Sequence, residues 1–480
     1  MLLTRRAAAL GFLMSLGPSP YAADGSQELR DHALAGMKRA TEFFTREVAC
    51  HGGYLWRYSE DLKQREGEGT ATETQVWVQP PGTPAVGLAF VRAYQATGDK
   101  QFLDAALAAA HALVFGQMRS GGWQYLIDFS EAGAKRFAYR HLPEPKSKGV
   151  RTHSVLDDNT TQAALRLLMA VDELVKDERV HEALVYGLDA LLKAQLPKGG
   201  WPQVFGLPEP EQQFAPYVKI ELDGTRTTLQ RPTRYWHYAT FNDGAINDCI
   251  AVCLEAHERT KEAKYLDAAR RAGDFILLSQ LKPPQAGWAQ QYTHDLKPEW
   301  ARKFEPPAAC SAVAVRNIRS LIEIWLATGD AKYLEPIPPA LDWLERSKLP
   351  GEKPRWARFY ELGTNRPLYF VKDTYELTYR DDNLPTHYSF QGDYGVESAV
   401  RAFRAAKEKG REALLAERAR KPAASELQAR ARTMEPQVRR VLDALDARGR
   451  WITDGWIECK VFIANLDALS SYLAATRPAP

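Results

Sequence analysis

The chain has 480 residues, of which 45% are hydrophobic and 26% are charged, a composition typical of a soluble globular protein. Its 63 basic and 60 acidic residues leave a net charge of +3, which excludes both a strongly basic nucleic-acid-binding surface and a strongly acidic one. The 12 Trp and 20 Tyr residues have flat apolar faces with a polar edge, which suit a protein core or a sugar ring.

The first 23 residues have the pattern of an export signal. Arg5 and Arg6 precede an apolar run over residues 7–16, and small residues follow it. This run is shorter than the roughly 20 residues that a membrane-spanning helix needs, and no later run is long enough either. We therefore predict a signal peptide over residues 1–23, a secreted or periplasmic protein, and no membrane anchor.

A long unit repeats along the rest of the chain. Each copy has a turn that ends near an Asp, a helix with apolar residues at i, i+3, i+4 and i+7, and a second turn that carries Trp. A further apolar helix precedes each unit, as in TTQAALRLLMAVDEL at residues 160–174. The copies begin at Ala96, Val175, Arg259 and Ala327, and their second turns carry Trp123, Trp201, Trp288 and Trp356.

Helical hairpins repeated in this way predict an all-α fold. The alternation typical of strands is nearly absent, and each hairpin can bury its apolar face only against its neighbours. We therefore expect an α/α toroid, or incomplete α/α barrel, in a single domain over residues 24–480. The repeats occupy about residues 76–400, and closing helices that leave room for a fifth or sixth hairpin occupy residues 401–480.

In such a ring the long loops gather on one face, where the N-termini of one set of helices meet. Two of these N-termini carry acidic and amide side chains. They are Asp157, Asp158 and Asn159 in one, and Asn242, Asp243, Asn247 and Asp248 in the other. Hard cations such as Ca²⁺ bind six to eight oxygen ligands of this kind. Asp and Asn are also preferred at the N-cap of a helix, so capping is an alternative role for these side chains.

Five motifs follow one another along the chain. They are PPGTPAVG at residues 80–87, DDNTTQ at 157–162, GGWPQ at 199–203, FNDGA at 241–245 and WARFYELGTNRP at 356–367. In sequence and in order these motifs resemble the pectic acid lyases of polysaccharide lyase family 10, with a lyase-like core over about residues 76–400. The resemblance implies an α/α toroid that cleaves polygalacturonate, or a related uronate polymer, by Ca²⁺-assisted β-elimination.

The resemblance also implies roles for individual residues. Asp157 or Asp158, with Asn159 beside them, would bind the metal, Asp243 would lie in the catalytic cleft, and Arg316 of the segment VAVR would be the base. Removal of the C5 proton of a uronate places negative charge on its carboxylate, so a metal and cationic side chains at that carboxylate lower the barrier. Arginine is an awkward base, because its proton is lost only in a desolvated site with other cations nearby. A Lys, Tyr or His could serve instead, and the long loop before FND carries Lys219, Tyr235, His237 and Tyr238.

Five residues are candidates for contact with the polysaccharide. Arg358 and Tyr360 stand in WARFYELGTNRP, Arg380 stands alone where the family resemblance implies an arginine pair, and Asn242 belongs to FND. Trp201 of GGWPQ has a ring that suits stacking on a sugar. Because Trp recurs at the same place in every repeat, packing of the turn is the alternative role of Trp201.

Two other functions fit the same sequence. An inverting glycoside hydrolase on this ring would use two opposed carboxylates, such as Asp158 and Asp243, about 6.5–9.5 Å apart. A non-catalytic protein that binds acidic polysaccharide would not need the missing arginine. We expect a monomer whose partner is an acidic, polygalacturonate-like polysaccharide, and neither nucleic acid nor a membrane as a partner.

Overall fold

Thirteen α-helices form the framework of the part of the chain that is described. The computed structural model describes residues 20–477, so the predicted signal peptide lies almost entirely outside the described residues. No helix within this range is long and apolar enough to cross a membrane. The helices are α1 (Pro20–Phe43), α2 (Thr83–Thr97), α3 (Lys100–Gly116), α4 (Glu131–Arg136), α5 (Thr160–Leu174), α6 (Glu178–Lys193), α7 (Ala245–Thr260), α8 (Ala263–Ser279), α9 (Ser311–Thr328), α10 (Ile337–Arg346), α11 (Val396–Ala419), α12 (Ala424–Asp443) and α13 (Cys459–Ala475).

The helices form two layers of a ring. In the inner layer α13 packs against α2, and α5, α7, α9 and α11 follow in turn, each against the one before. The outer helices α3, α6, α8 and α10 each pack against the inner helix that precedes them in the chain, while α12 packs against α13. The two ends of the described chain meet where Arg30 of α1 donates hydrogen bonds to the Leu473 carbonyl and to Thr476. The inner ring is incomplete, because α11 has little contact with α13. The prediction of an all-α toroid is confirmed.

The sequence of each helix reflects the layer in which it lies. The inner helix α5 buries adjacent residues such as Leu167 and Leu168, because it has neighbours on several sides. The outer helix α6 buries a single stripe that includes Val180, Leu184 and Leu188, and its opposite face is exposed to solvent. The amphipathic helices of the repeats are therefore the outer ones, and the more uniformly apolar helices form the inner layer.

Short strands join the long loops at one face of the ring. In four repeats the strand before the inner helix pairs with the strand after the Trp turn, in the antiparallel pairs β3–β4, β5–β6, β9–β10 and β11–β13. Ladders this short leave no alternating pattern in the sequence. The strands are β1 (Arg57–Ser59), β2 (Arg65–Glu66), β3 (Gln75–Trp77), β4 (Leu126–Asp128), β5 (Ser154–Val155), β6 (Val204–Phe205), β7 (Phe214–Leu222), β8 (Thr225–Pro232), β9 (Ala239–Thr240), β10 (Gln291–Tyr292), β11 (Ala309–Cys310), β12 (Trp356–Ala357), β13 (Phe359–Tyr360), β14 (Pro367–Phe370), β15 (Leu377–Thr378), β16 (Gln391–Gly392), β17 (Ile452–Thr453) and β18 (Trp456–Glu458).

The hairpin β7–β8 is the one long strand pair of the described chain, and the sequence pattern did not predict it. It extends a six-stranded sheet in the order β11-β13-β14-β15-β7-β8, in which β15 and β7 are parallel. Asp223 and Gly224 at its tip have φ values of 50° and 76°, as a tight hairpin turn requires. This Asp-Gly pair was the available signal for a hairpin.

Five buried Trp residues end the outer helices. Each indole N–H donates to a carbonyl in the last turn of the preceding outer helix, where backbone carbonyls have no partner within the helix. The donors are Trp123, Trp201, Trp288, Trp356 and Trp451, and the acceptors are the carbonyls of Leu113, Leu191, Ile276, Leu344 and Val441, at 2.6 to 2.8 Å. Trp201 is fully buried. Packing of the turn is therefore its role, and its predicted stacking on a sugar does not fit its burial.

Candidate active site

Two short turns, residues 157–159 and 242–244, lead into α5 and α7 and pack against each other. The middle residue of each turn, Asp158 or Asp243, has a left-handed backbone with a φ of 49° or 46°. This conformation costs a residue with a side chain roughly 1–2 kcal/mol. Neither turn places a capping side chain on its helix. The acidic side chains of these turns therefore serve something other than helix capping.

Three carboxylates of these turns meet at one point. Asp157, Asp158 and Asp243 each have an oxygen within 4.8 Å of an oxygen of the other two. The Asp158 carboxylate accepts a hydrogen bond of 2.8 Å from Gln79 Nε2. We call Asp157, Asp158 and Asp243 the acidic triad.

Oxygens around the acidic triad are available for a cation. Asp157 Oδ2 accepts hydrogen bonds from Gln203 Nε2 at 2.6 Å and from the Tyr125 hydroxyl at 3.1 Å. Asp157 Oδ1 and Asn159 Oδ1 are buried and have no hydrogen-bond partner among the described residues. A buried acceptor without a donor is costly unless a ligand supplies the missing interaction. The carboxylate and amide oxygens here are the hard donors that Ca²⁺ prefers.

The charges of the acidic triad are close enough to oppose one another. Burial, followed by repulsion from Asp243, raises the pKa of Asp157 to about 6. Burial, followed by repulsion from Asp157 and Asp243, raises the pKa of Asp158 to about 7. The acidic triad therefore holds protons near neutral pH that a bound cation would displace.

Arg302 is the cation in direct contact with the acidic triad. Its Nη2 donates to Asp243 Oδ2 at 3.0 Å, while its Nε donates to Glu305 Oε1 at 3.0 Å. Glu305 is 1% exposed and also accepts the backbone N–H of Arg302 at 2.9 Å. Burial lowers the pKa of Arg302, but Glu305, Asp157 and Asp243 raise it by more, so the net shift is upward. The sequence motifs missed this pair, and its i, i+3 spacing was the only local signal.

A second arginine, Arg358, is linked to Arg302 through the half-buried Tyr388 and through Glu305. The Tyr388 hydroxyl accepts a hydrogen bond of 2.6 Å from Arg358 Nη2 and lies 3.3 Å from both Asn242 Oδ1 and Glu305 Oε1. The Arg358 guanidinium stacks over the Tyr388 ring at 3.9 Å. Arg358 forms no ion pair within the described chain, and its buried Nε has no partner. The structure thus brings Arg358 and Asn242 together at Tyr388, a residue that the sequence motifs did not indicate, and the contact of Arg358 and Asn242 with substrate stays a prediction.

Arg316, the predicted base, lies in the bore of the ring. The bore is a cavity of about 1300 Å³ that extends from the acidic turns along α5, α7 and α9. Arg316 lines it together with Asp243 and Asp248. A Cβ at residue 244, which is Gly with a φ of 83°, would lie 2.4 Å from Arg316 Nη1. Arg316 is therefore close beneath the second acidic turn, whereas Arg302 makes the direct contact.

Two of the other predicted contact residues lie elsewhere. Tyr360 is 1% exposed, and its hydroxyl donates to the Ser347 carbonyl and accepts from the Ala357 N–H. Its predicted contact with substrate does not fit this burial, because both its hydroxyl and its ring are used within the loop. Arg380 is exposed beyond the end of β15, and its contact with substrate stays a prediction.

Comparison with known proteins places the chain in a family. No curated protein sequence matches it. Among solved structures, it is similar to a mutant family 10 polysaccharide lyase from Cellvibrio cellulosa in complex with trigalacturonic acid, with 18% identity and a TM-score of 0.46 over 68% of this chain and 98% of that one. It is also similar to an inactive α-1,6-mannanase variant from Salegentibacter in complex with α-1,6-mannotriose, with 10% identity and a TM-score of 0.42 over 94% of this chain and 99% of that one. A third similar structure is a family 76 glycoside hydrolase from Bacteroides thetaiotaomicron, with 11% identity and a TM-score of 0.43 over 93% of this chain and 98% of that one.

The family model of the pectic acid lyases matches residues 130–398, which is more than half of the chain. This range includes both acidic turns, Arg302 and Arg358. The membership predicted from the sequence motifs is confirmed: the chain belongs to the pectic acid lyase family and is a polysaccharide lyase of the pectate lyase type.

Proposed function

We propose that the protein is a secreted or periplasmic enzyme that cleaves polygalacturonate, or a related uronate polymer, by Ca²⁺-assisted β-elimination. The observation that carries this proposal is the contact between the acidic triad and Arg302, with Arg358 nearby and free of any ion pair in the described chain. β-Elimination of a uronate polymer needs positive charge at the carboxylate of the reacting sugar, from a metal ion and from cationic side chains. The acidic triad offers a place for the metal ion, and Arg302 and Arg358 supply the cationic side chains.

The acidic triad and Asn159 would hold the cation. Two observations indicate that these residues suit a cation. Three carboxylates lie close together, and two buried oxygens, Asp157 Oδ1 and Asn159 Oδ1, have no hydrogen-bond donor in the described chain. When bound, Ca²⁺ would supply positive charge to the uronate carboxylate and so make the adjacent C5 proton more acidic.

We assign to Arg302 the contact with the reacting sugar that the resemblance implied for Arg316. Glu305 fixes the Arg302 guanidinium so that one nitrogen reaches Asp243 at the mouth of the cation site. In the free protein the surrounding carboxylates keep Arg302 protonated. Binding of a cation to Asp157 and Asp243 would weaken this field, although the charge of Glu305 would remain. To act as the base, the Arg302 guanidinium would first have to lose a proton to solvent, and the neutral guanidine would then accept the C5 proton.

Arg358 would bind a uronate carboxylate. Tyr388 orients its guanidinium by a hydrogen bond and by stacking, so little rotational freedom is lost when a ligand binds. No carboxylate of the described chain forms an ion pair with Arg358, although the charge of Asp243 acts on it. An arginine can bind a carboxylate through two parallel hydrogen bonds.

The carboxylate spacing argues against an inverting glycoside hydrolase. Asp158 and Asp243 have oxygens within 4.8 Å of each other, whereas an inverting enzyme needs about 6.5–9.5 Å to place a water between its carboxyl groups and the sugar.

The test is an assay of the purified protein on polygalacturonate, with Ca²⁺ and with a chelator. The proposal expects ultraviolet absorbance from an unsaturated product, formed with Ca²⁺ and lost with the chelator. Reducing ends without this absorbance would show hydrolysis instead. Binding without either signal would show a non-catalytic polysaccharide-binding protein.

Two aspartate variants test the assignment of the site. Asp243→Ala removes the triad carboxylate that contacts Arg302 and should abolish product formation. Asp267→Ala removes an exposed carboxylate of the outer helix α8 and should leave the rate unchanged. Full activity of Asp243→Ala would overturn the site assignment.

A further inference from the structure

Two arginines lie side by side in the segment between β4 and β5. The backbone N–H of Arg151 donates to the Arg136 carbonyl at 2.9 Å, and the N–H of Ala138 donates to the Arg151 carbonyl at 2.9 Å. These bonds hold the two residues in fixed register although they are far apart in sequence. Backbone hydrogen bonds therefore fix Arg136 and Arg151 beside each other, and we call these two residues the arginine pair.

Both guanidiniums lie against the same ring and lack a counter-charge. The Cζ of Arg136 is 5.4 Å, and that of Arg151 5.7 Å, from the centre of the buried Phe137 ring. Neither arginine forms an ion pair in the described chain, and Arg151 has only the Gln124 Oε1 atom at 3.5 Å. Burial, followed by the charge of Arg136, lowers the pKa of Arg151, so Arg136 acts on Arg151 as a repulsive charge.

Two guanidiniums that lie against the same ring are stabilised when an anion bridges them. The repulsion is costly because part of Arg151 is desolvated, and a carboxylate would offset it with hydrogen bonds to both guanidiniums. The fold offers no such carboxylate to Arg136 or Arg151 among the side chains that the structure describes. An external anion is the partner that the pair lacks.

Two adjacent residues, Gln124 and Tyr125, link the arginine pair to the acidic triad. Gln124, which contacts Arg151, is followed by Tyr125, whose hydroxyl donates to Asp157 at 3.1 Å. Gln124 also donates to the His153 carbonyl at 2.6 Å, which fixes the chain between Arg151 and the first acidic turn. A polymer bound at the acidic triad can therefore extend over the arginine pair.

We propose that Arg136 and Arg151 form a subsite that binds the carboxylate of a second uronate unit in the same polymer, away from the unit that reacts. This inference rests on the proposed cleavage of a uronate polymer. It predicts a preference for long substrates, because only these reach the acidic triad and the arginine pair at once.

The experiment compares the wild-type protein with the double variant Arg136→Ala/Arg151→Ala on short and long oligogalacturonates. The double variant should raise KM for long oligomers by roughly tenfold or more, the loss expected for charge-assisted hydrogen bonds. Its kcat on all lengths, and its KM on the shortest cleaved oligomer, should match those of the wild type. The matched control is Lys146→Ala/Lys148→Ala, which removes two exposed charges from the same segment and should leave KM unchanged.

Binding measured by calorimetry separates this inference from the proposed function. If the wild-type protein binds long oligogalacturonate without cleaving it, and the arginine double variant binds it at least tenfold more weakly, the subsite stands and the lyase proposal fails. Equal affinity and equal KM of wild type and double variant on long oligomers would overturn the subsite. An equal loss in the lysine control would also overturn it, since it would show a general effect of charge. Melting temperatures of all variants check that each remains folded.

Discussion

Asp157 and Asp158 place protonation and cation binding in competition. Their pKa values of about 6 and about 7 mean that both carboxyl groups hold protons over a range in which most aspartates are ionised. The cause is burial together with the nearby charges of the acidic triad. A cation must displace these protons before it can bind.

We therefore expect Ca²⁺ affinity to rise with pH up to about 7, most steeply below about 6 where both carboxyl groups are protonated, and to level off above about 7. Calorimetric titration of Ca²⁺ at several pH values would measure this, and proton release in buffers of different ionisation enthalpy would confirm the exchange. An affinity that does not change across this range would contradict the assignment of Asp157 and Asp158 as ligands.

The raised pKa values of Asp157 and Asp158 also affect how the stability of the Ca²⁺-free protein depends on pH. A carboxyl group with a raised pKa binds more protons in the folded state than in the unfolded state, whose aspartates have a pKa of about 3.9. The free energy of unfolding should therefore fall as pH rises from about 4 to about 7, the pKa of Asp158, and stay level above it. Asp158→Asn should flatten this fall, whereas Asp267→Asn on the surface should not. Denaturant unfolding across this pH range would measure the difference.

Glu305 is proposed to position Arg302 rather than to contact the sugar. It is buried, and its carboxylate binds the Arg302 side chain and backbone on one side and faces Tyr388 on the other. Glu305→Gln should lower kcat by roughly tenfold or more, because the charge that fixes the guanidinium is lost, while KM changes little. Glu262→Gln on the surface is the matched control. A kcat equal to that of the wild type would contradict the positioning role.

At the scale of elements, the buried Trp residues act as caps of the outer helices. Trp288→Phe would remove the 2.7 Å hydrogen bond to the Ile276 carbonyl, leave this carbonyl only the longer bond of 3.3 Å from Ser279 Oγ, and leave a small void in place of the indole. We expect a loss of about 2–4 kcal/mol in the free energy of unfolding. Trp456→Phe, at a partly exposed ring, should cost less than about 1 kcal/mol. Denaturant unfolding measures both, and equal losses would contradict the capping role.

The elements differ in how well their sequences predict them. The inner and outer helices were predictable because their apolar spacing repeats, and the acidic turns were predictable because Asp157, Asp158 and Asp243 precede apolar helices. Arg302 and Glu305 were not, since they lie in a loop whose path depends on contacts across the ring. The strands β3 to β6 were not either, because strands of two or three residues carry no periodic signal.

At the scale of the molecule, the inner ring depends on its last helix. α13 packs against α2 and α1 through buried residues that include Leu466, Leu469 and Tyr472. Deletion of residues 459–480 would expose the faces that these residues cover, and we expect the remaining chain to lose its cooperative unfolding transition. Differential scanning calorimetry would measure this. Replacement of hairpin β7–β8 by a short glycine linker, which leaves every ring helix in place, should preserve the transition.

The contact between the first and the last helices of the described chain determines when the ring can close. Arg30 near the start of the described chain bonds to Leu473 and Thr476 near its end, and α2 borders α13 across most of the sequence. Hairpins such as α2–α3 and α5–α6 can form while later residues are still being synthesised, because their contacts are local. The contact between α2 and α13 cannot form until α13 has been synthesised and has left the ribosome. The inner ring is thus completed only once α13 is available, and until then the incomplete ring exposes an apolar edge to chaperones.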